Sequence, residues 1–291
     1  MTSPSPIWRA SAALVLVCST LGCSTGGGLA AGPSAPRVAE ILAGADRTAA
    51  DRTNDIRRKP EALLPFIGPM PGMVALDVSA GGGYTTELLA RAIGPTGRVY
   101  GQSQPRDPNR VVAAPAAPEG QSHPGLAAPA TAAPAPGPRP SPVALAEREA
   151  RLRAAGVSAA PIVAVLQRFD NPVPPELADA RIDLVTLMFN YHDLGHMGVD
   201  RAAMNRALFK ALKPGGVYVV GDHAGRPGTG ISEAGTLHRI EEAFLRAEVE
   251  AAGFRFVASG SFLRNPNDPR DRNTPNPPQP KDEFVLKFVK P

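Results

Sequence analysis

The chain has 291 residues, 43% of them hydrophobic and 20% charged, enough apolar material for a single core with appendages rather than a string of small modules. Its net charge is only +4, Lys and Arg form no long run, and aromatics make up 5%, so neither the electrostatics nor the stacking surface of a nucleic-acid binder is present. Both cysteines, Cys18 and Cys23, lie near the start, which excludes a disulfide, a thiolate nucleophile or a cysteine metal site from the body of the protein.

Residues 1–23 read as an export leader: Arg9 precedes the apolar run from Ala10 to Leu21, and small residues follow. The run is too short for a confident membrane span. Thr20-Leu21-Gly22-Cys23 resembles a bacterial lipoprotein signal, which implies membrane attachment through a lipidated Cys23 and a periplasmic or membrane-anchored location. A secreted protein without the lipid, or an uncleaved anchor, remains open. Residues 24–37 are assigned to a flexible tether, and the folded domain to 38–291.

Val38, Ile41 and Leu42 have helical spacing, whereas the charged stretch from Asp51 to Glu61, with Pro60 inside it, reads as a solvated elbow. Met73 to Val78 is an apolar strand carrying Asp77 near its end, and Gly81-Gly82-Gly83 then hands over to a helix from Tyr84 to Ile93. A turn without Cβ atoms, opening a helix, lets backbone amides approach a polar ligand. The pattern is not a dinucleotide fingerprint, because Thr86 stands where the third glycine belongs, nor does it have the Lys-Ser/Thr end of a phosphate loop. A nicotinamide oxidoreductase is therefore the weakest reading.

A second strand reaches Gln102, and residues 105–142 then hold eleven prolines and ten alanines, a composition that can form neither a central strand nor a helix. This insertion reads as a passive surface loop. A helix from Pro142 to Ala155 and a third strand from Pro161 to Leu166 resume the core, followed by Asp170. The apolar stretch from Arg181 to His192 ends in Asn190-Tyr191-His192-Asp193, which an open parallel sheet would place at its carboxyl edge beside the glycine turn. A helix from Gly198 to Leu212, a strand from Val217 ending at Asp222-His223, a glycine-rich lid from Ala224 to Gly235 and a helix from Thr236 to Ala252 follow. Strand six, Phe254 to Ser259, a polar surface crossing and a closing strand, Phe284 to Val289, complete the chain.

The Asp77-to-Gly83 turn and the Lys213-Pro214-Gly215-Gly216 turn before a Tyr-Val-Val strand together resemble class I S-adenosylmethionine-dependent methyltransferases. Asp51-Arg52-x-x-Asp55-x-x-Arg58-Lys59-Pro60, Asp222-His223, Gly228-Thr229-Gly230 and Thr236-Leu237-His238-Arg239 are similar to strings of an exported family of predicted bacterial methyltransferases. The resemblance implies an α/β, Rossmann-like fold with a mostly parallel seven-stranded sheet and an antiparallel last strand. It also implies S-adenosylmethionine as cofactor and a small-molecule acceptor. Asp77, Gly81, Gly82, Gly83, Gln102, Asp170 and Asn190 would hold the cofactor, with Gln102 where an acid usually meets the ribose and Asp170 toward the adenine. Arg57, Arg58 and Lys59 would lie over the cleft, able to meet a carboxylate of cofactor or substrate.

Asn190, His192, His223 and His238 are the candidate catalytic residues. His192 suits a general base, since an imidazole titrates near neutrality. His192, Asp193 and His196 could hold zinc or iron, but no third distant ligand stands out and no metal site is expected. The two other readings are a non-enzymatic binding protein on a methyltransferase scaffold, favoured by Gln102 and the tether, and a metal-dependent hydrolase built on the same His-Asp-His group.

Overall fold

The computed structural model describes Met1 and residues 32–105, 139–275 and 278–291. The expected leader with Cys18 and Cys23, most of the tether, and residues 106–138 of the Pro/Ala-rich insertion lie outside the described residues. Among the described residues no helix is long and apolar enough to cross a membrane.

Seven strands form one sheet: β1 (Val74–Val78), β2 (Arg98–Ser103), β3 (Ile162–Leu166), β4 (Ile182–Met188), β5 (Leu212–His223), β6 (Arg255–Gly260) and β7 (Glu283–Val289). Their order is β3-β2-β1-β4-β5-β7-β6. The first five are parallel, and β7 runs antiparallel to both β5 and β6. This is the Rossmann-like class I methyltransferase fold expected from the sequence. The helices are α1 (Ala35–Ala43), α2 (Ala49–Arg58), α3 (Pro60–Ile67), α4 (Tyr84–Ile93), α5 (Ser141–Ala154), α6 (Asp193–His196), α7 (Arg201–Ala211), α8 (Ala234–Leu237) and α9 (Glu242–Ala251).

The central strands are apolar because both sheet faces are covered. Along β1, Leu76 and Val78 face one hydrophobic cluster, with Met204, Leu208 and Leu245 from α7 and α9. Ala75 faces the other, with Leu88, Leu89 and Ile93 of α4 and Leu63 and Leu64 of α3. This alternation fixes register, since a slip of one residue would exchange the two faces. The strand order reverses between β1 and β4, and there, beyond the carboxyl ends of the strands, an open α/β sheet holds its ligands.

Four sequence expectations are corrected. The stretch from Asp51 to Glu61 is not a solvated elbow: a capping box between Thr48 and Asp51 starts α2, and α3 follows after Lys59 in a left-handed conformation. Helix α1 begins at Ala35, inside the range assigned to the tether, because Val38 and Ile41 are buried on the core. The helix expected from Thr236 is broken at His238, whose φ is 51°, so that Arg239 turns inward and is fully buried. The crossing after β6 is not merely surface, since its Asp268 pairs with Arg239 at 2.8 Å, both side chains buried.

Candidate functional site

The glycine turn between β1 and α4 floors a pocket of about 250 Å³, lined by Asp77, Ser79, Gly81 and Gly82 and covered by Arg58 of α2 and Arg148 of α5. Gly81 (φ 53°) and Gly83 (φ 77°) adopt left-handed backbone that other residues reach only with strain. At Gly83 a Cβ would also stand 2.6 Å from Leu145, so this glycine lets α5 close on the turn while its two neighbours line the pocket.

Asp77 is buried beneath the turn. Thr86 Oγ1 donates to its Oδ2 (2.6 Å) and Thr186 Oγ1 to its Oδ1 (2.8 Å), so α4 and β4 both hold it. Burial outweighs these bonds and the nearby Arg58, pushing the carboxyl up to about 6. The Arg58 guanidinium lies over the Phe189 ring, 3.4 Å from its centroid. Phe189 itself has a φ of 61° and Ser79 one of 58°. Two non-glycine residues held in this conformation, one after β1 and one after β4, put backbone strain at the switch point, where ligand-binding sites commonly store it.

The leading helices are fastened to this turn by charge. Arg148 bonds Asp51 of α2 (2.7 Å), Glu87 of α4 and the carbonyl of Gly82. Asp51 and Glu87 are almost fully buried, and Arg151 adds a second bond to Glu87 (2.7 Å). Tyr84, in the pocket wall, donates to Asp55 of α2 (2.6 Å), and Arg47 grips the same carboxylate. Of the neighbouring cations, Arg57 faces Glu283 at 3.6 Å and Lys59 donates to the Phe262 carbonyl (2.7 Å), which leaves Arg58 as the member of the expected trio that lines the pocket.

Of the two residues expected at the nucleoside end, neither lines this pocket. Gln102 is buried and braces the sheet: its Oε1 accepts from the Ser79 amide (3.0 Å) and its Nε2 donates to the Gln167 carbonyl (2.7 Å). Asp170 pairs with Arg168 at the surface (2.9 Å) and does not line the pocket, the arrangement of a turn carboxylate after β3. Asn190 does face the glycine turn, for Ser79 Oγ donates to its Oδ1 (2.8 Å) while its Nδ2 donates to Asp193 Oδ2 (2.9 Å).

That last bond leads into a histidine cluster at the ends of β4 and β5. His192 is fully buried, its Nδ1 2.6 Å from Asp222 Oδ1, and its backbone amide donates to the other oxygen of the same carboxylate (2.7 Å). His192 Nε2 lies 3.2 Å from Asp193 Oδ1, and His238 Nδ1 lies 3.0 Å from that oxygen. His223 packs beside His192 with ring centroids 5.3 Å apart and reaches Glu283 through Nδ1 (3.0 Å). The buried Glu283 carboxyl would be raised by desolvation, the largest single influence, but the bond and charge of His223 together with the charges of Arg57 and Arg58 outweigh it and hold the carboxyl below the usual range. The structure therefore brings Asn190, His192, His223 and His238 together.

His196, on the short α6, stands further out at 3.8 Å from Asp193. The metal-type grouping among the described residues is His192, Asp193 and His238, not the set of His192, Asp193 and His196 weighed from the sequence, where no metal site was expected. The residue four positions along the chain is displaced by one that the His238 break turns inward. Ser79, Thr86, Arg148, Thr186 and Glu283 were not singled out from the sequence. Ser79, immediately after the first strand, carried a positional signal; the others have ordinary residue types at unremarkable spacings.

No family model matches the chain, and no curated protein does. Among solved structures it is similar to a SAM-dependent methyltransferase from Aquifex aeolicus, with 15% identity over 84% of this chain and 100% of the other, at a TM-score of 0.49. It is similar also to the putative methyltransferase in a complex with the Haloferax volcanii Trm112 methyltransferase activator, with 17% identity over 88% and 97% of the two chains and a TM-score of 0.47. A third is the [4+2]-cyclase SpnF, with 15% identity over 90% and 98% and a TM-score of 0.49. At such distances an activity has to come from the residues of the site.

Proposed function

We propose that the protein transfers a methyl group from S-adenosylmethionine to a small-molecule acceptor. The observation that carries this reading is the pocket at the reversal between β1 and β4, lined by the acid Asp77, the glycine turn and the cations Arg58 and Arg148. These residues fit the amino-acid end of the cofactor. Arg58 would meet its carboxylate, and Asp77, ionised above about pH 6, its ammonium group. Gly81 and Gly82 keep the turn free of Cβ atoms where the cofactor would lie on it.

The cofactor supplies a methyl group already made electrophilic by its sulfonium, so the chain has only to place an acceptor and take away a proton. Asn190, tied to both Ser79 and Asp193, connects the pocket to the histidine cluster. Asp222 orients His192 so that Nε2 points to Asp193 and His238, where an acceptor would be met. In this reading His223, held by Glu283, packs the far side of His192, while His238 stands at the solvent side of the cluster.

Calorimetry of the full chain with S-adenosylmethionine and with its demethylated product tests the assignment. Binding that weakens at least tenfold in Arg58→Ala is expected; no binding up to millimolar cofactor would remove it.

A second reading is supported by Gln102, whose amide is engaged at both ends and supplies no acid for a ribose. It is a binding protein on this scaffold that holds a ligand without turnover. Formation of demethylated product with a panel of oxygen, nitrogen and sulfur acceptors separates the two. We also propose export with lipidation at Cys23, supported by the leader sequence alone; loss of fatty-acid labelling in Cys23→Ser is the expected result.

A further inference from the structure

We propose that His192, Asp193 and His238 form a site for a divalent transition ion of the zinc type. The ligand atoms of these three residues lie within 4.8 Å of one another, and Asp193 Oδ1 is 3.2 Å from His192 Nε2 and 3.0 Å from His238 Nδ1. Donors bound to one ion at about 2.0–2.2 Å stand roughly 3.0–3.6 Å apart, so both distances to Asp193 already match, and the two imidazoles, within 4.8 Å of each other, would close on the ion by side-chain rotation.

The donor chemistry points the same way. With Nδ1–H of His192 donating to Asp222, its Nε2 carries a lone pair directed at a carboxylate oxygen, and the two repel unless a positive charge lies between them. A proton on the imidazole supplies one for His192, and a neutral His238 can donate Nδ1–H to Asp193; a shared cation serves both rings at once. Two imidazoles and one carboxylate suit zinc or iron rather than magnesium or calcium, which take oxygen sets.

Two features fit a site that is built rather than incidental. Each of the first two ligands has its own outer partner, Asp222 on His192 (2.6 Å) and Asn190 on Asp193 (2.9 Å), the arrangement that fixes tautomer and orientation around metals. His238 is held at a φ of 51°, a conformation costly for a histidine, and this is the backbone setting that brings its ring within reach of Asp193. His192 is fully buried, whereas the side chains of Asp193 and His238 are 20% and 27% exposed. The ion would thus sit at the floor of an opening, with coordination positions facing solvent for an ionisable oxygen or sulfur of a small molecule; with the ion bound, His192 Nε2 is a ligand and not a base, and the ion in its place favours loss of the acceptor's proton. This last point alone rests on the methyl-transfer reading; the metal site does not.

The test uses the full chain without a histidine tag, stripped with chelator and then titrated with Zn²⁺ by calorimetry and with Co²⁺ by visible absorbance. One ion per chain is expected, with ligand-field bands in the cobalt form. His238→Ala and Asp193→Asn should each weaken binding by more than about a hundredfold, exceeding the typical effect of an outer partner. His196→Ala and His123→Ala should leave it unchanged. Melting curves in chelator, equal for wild type and His238→Ala, ensure that the loss is of a ligand and not of the fold. Absence of stoichiometric binding at 100-fold excess ion, or binding by His238→Ala equal to wild type, would overturn the proposal. S-adenosylmethionine titrations of the same samples report separately on the cofactor pocket.

Discussion

Asp77 shows how one residue can serve the site at the expense of the fold. Its carboxyl is raised to about 6 by burial, so the folded state favours the neutral form. The associated stability is full below the ordinary value of 3.8 and is lost as pH rises through about 6, a loss of up to about 3 kcal/mol at neutral pH. Asp77→Asn cannot ionise and escapes this penalty. Denaturant unfolding of both proteins should show the variant gaining on wild type by up to that amount between pH 4 and pH 7. A difference that stays flat with pH would refute a raised Asp77. If the cofactor's ammonium group meets this carboxylate, wild-type affinity for S-adenosylmethionine should also rise through the same pH window, while that of Asp77→Asn should not. At this scale the sequence was informative about residue type and silent about partners. Asp77 and the glycines could be located because a strand must end before a turn begins; that Thr86 and Thr186 would hold the acid could not, since the second is 109 residues away.

Among the elements, α2 was the one most concealed in the sequence. Its composition is so polar that hydrophobic periodicity sees nothing, and of its residues only Asp51 is buried. What holds the helix down is charge supplied from 97 residues further along, Arg148 on Asp51, together with the Tyr84–Asp55 bond from α4. Burial alone would raise the Asp51 carboxyl, but the bonds from Arg148 and Thr48 prevail and hold it below its ordinary value. The sign is thus opposite to that of Asp77: the stability is present above pH 3.8 and is lost as pH falls through the depressed value. Asp51→Asn removes both the charge and part of the capping box, leaving Arg148 with Glu87, and should cost about 3 kcal/mol at neutral pH. Amide exchange would localise the damage, with faster exchange in α2 and the glycine turn and little change in β4 or β5. Uniform acceleration would instead mean that the clamp is not local. The α8–α9 break is concealed for a related reason. A continuous helix fits the residue pattern, and nothing local marks the break at His238 that sets Arg239 against Asp268 of a distant crossing.

At the scale of the molecule, the strand order was legible because it rests on features that leave local marks: apolar runs, glycine turns and helix-period segments in fixed succession. The ligand site follows from that order, but which strand-end residues face each other there depends on the two strained positions, Ser79 and Phe189, whose positive φ has no sequence signature. The sheet reversal places the cofactor pocket against the histidine cluster, joined by the Ser79–Asn190–Asp193 chain of hydrogen bonds. A ligand in the pocket contacts elements from both sides of the reversal, since Asp77 and Arg148 belong to β1 and α5 and Met188 to β4. Binding should therefore stabilise the whole domain rather than one loop. At a concentration of 100 times Kd the gain is about 2.7 kcal/mol, which for a domain of this size corresponds to roughly 5–10 °C in Tm. Thermal melts with S-adenosylmethionine should show this shift as one transition, and Arg58→Ala should lose most of it at the same cofactor concentration. A shift equally large in Arg58→Ala would place the cofactor elsewhere on the molecule. In Ser79→Ala zinc binding should weaken only by the removal of one outer bond from Asn190, because that serine positions the amide without touching the ion.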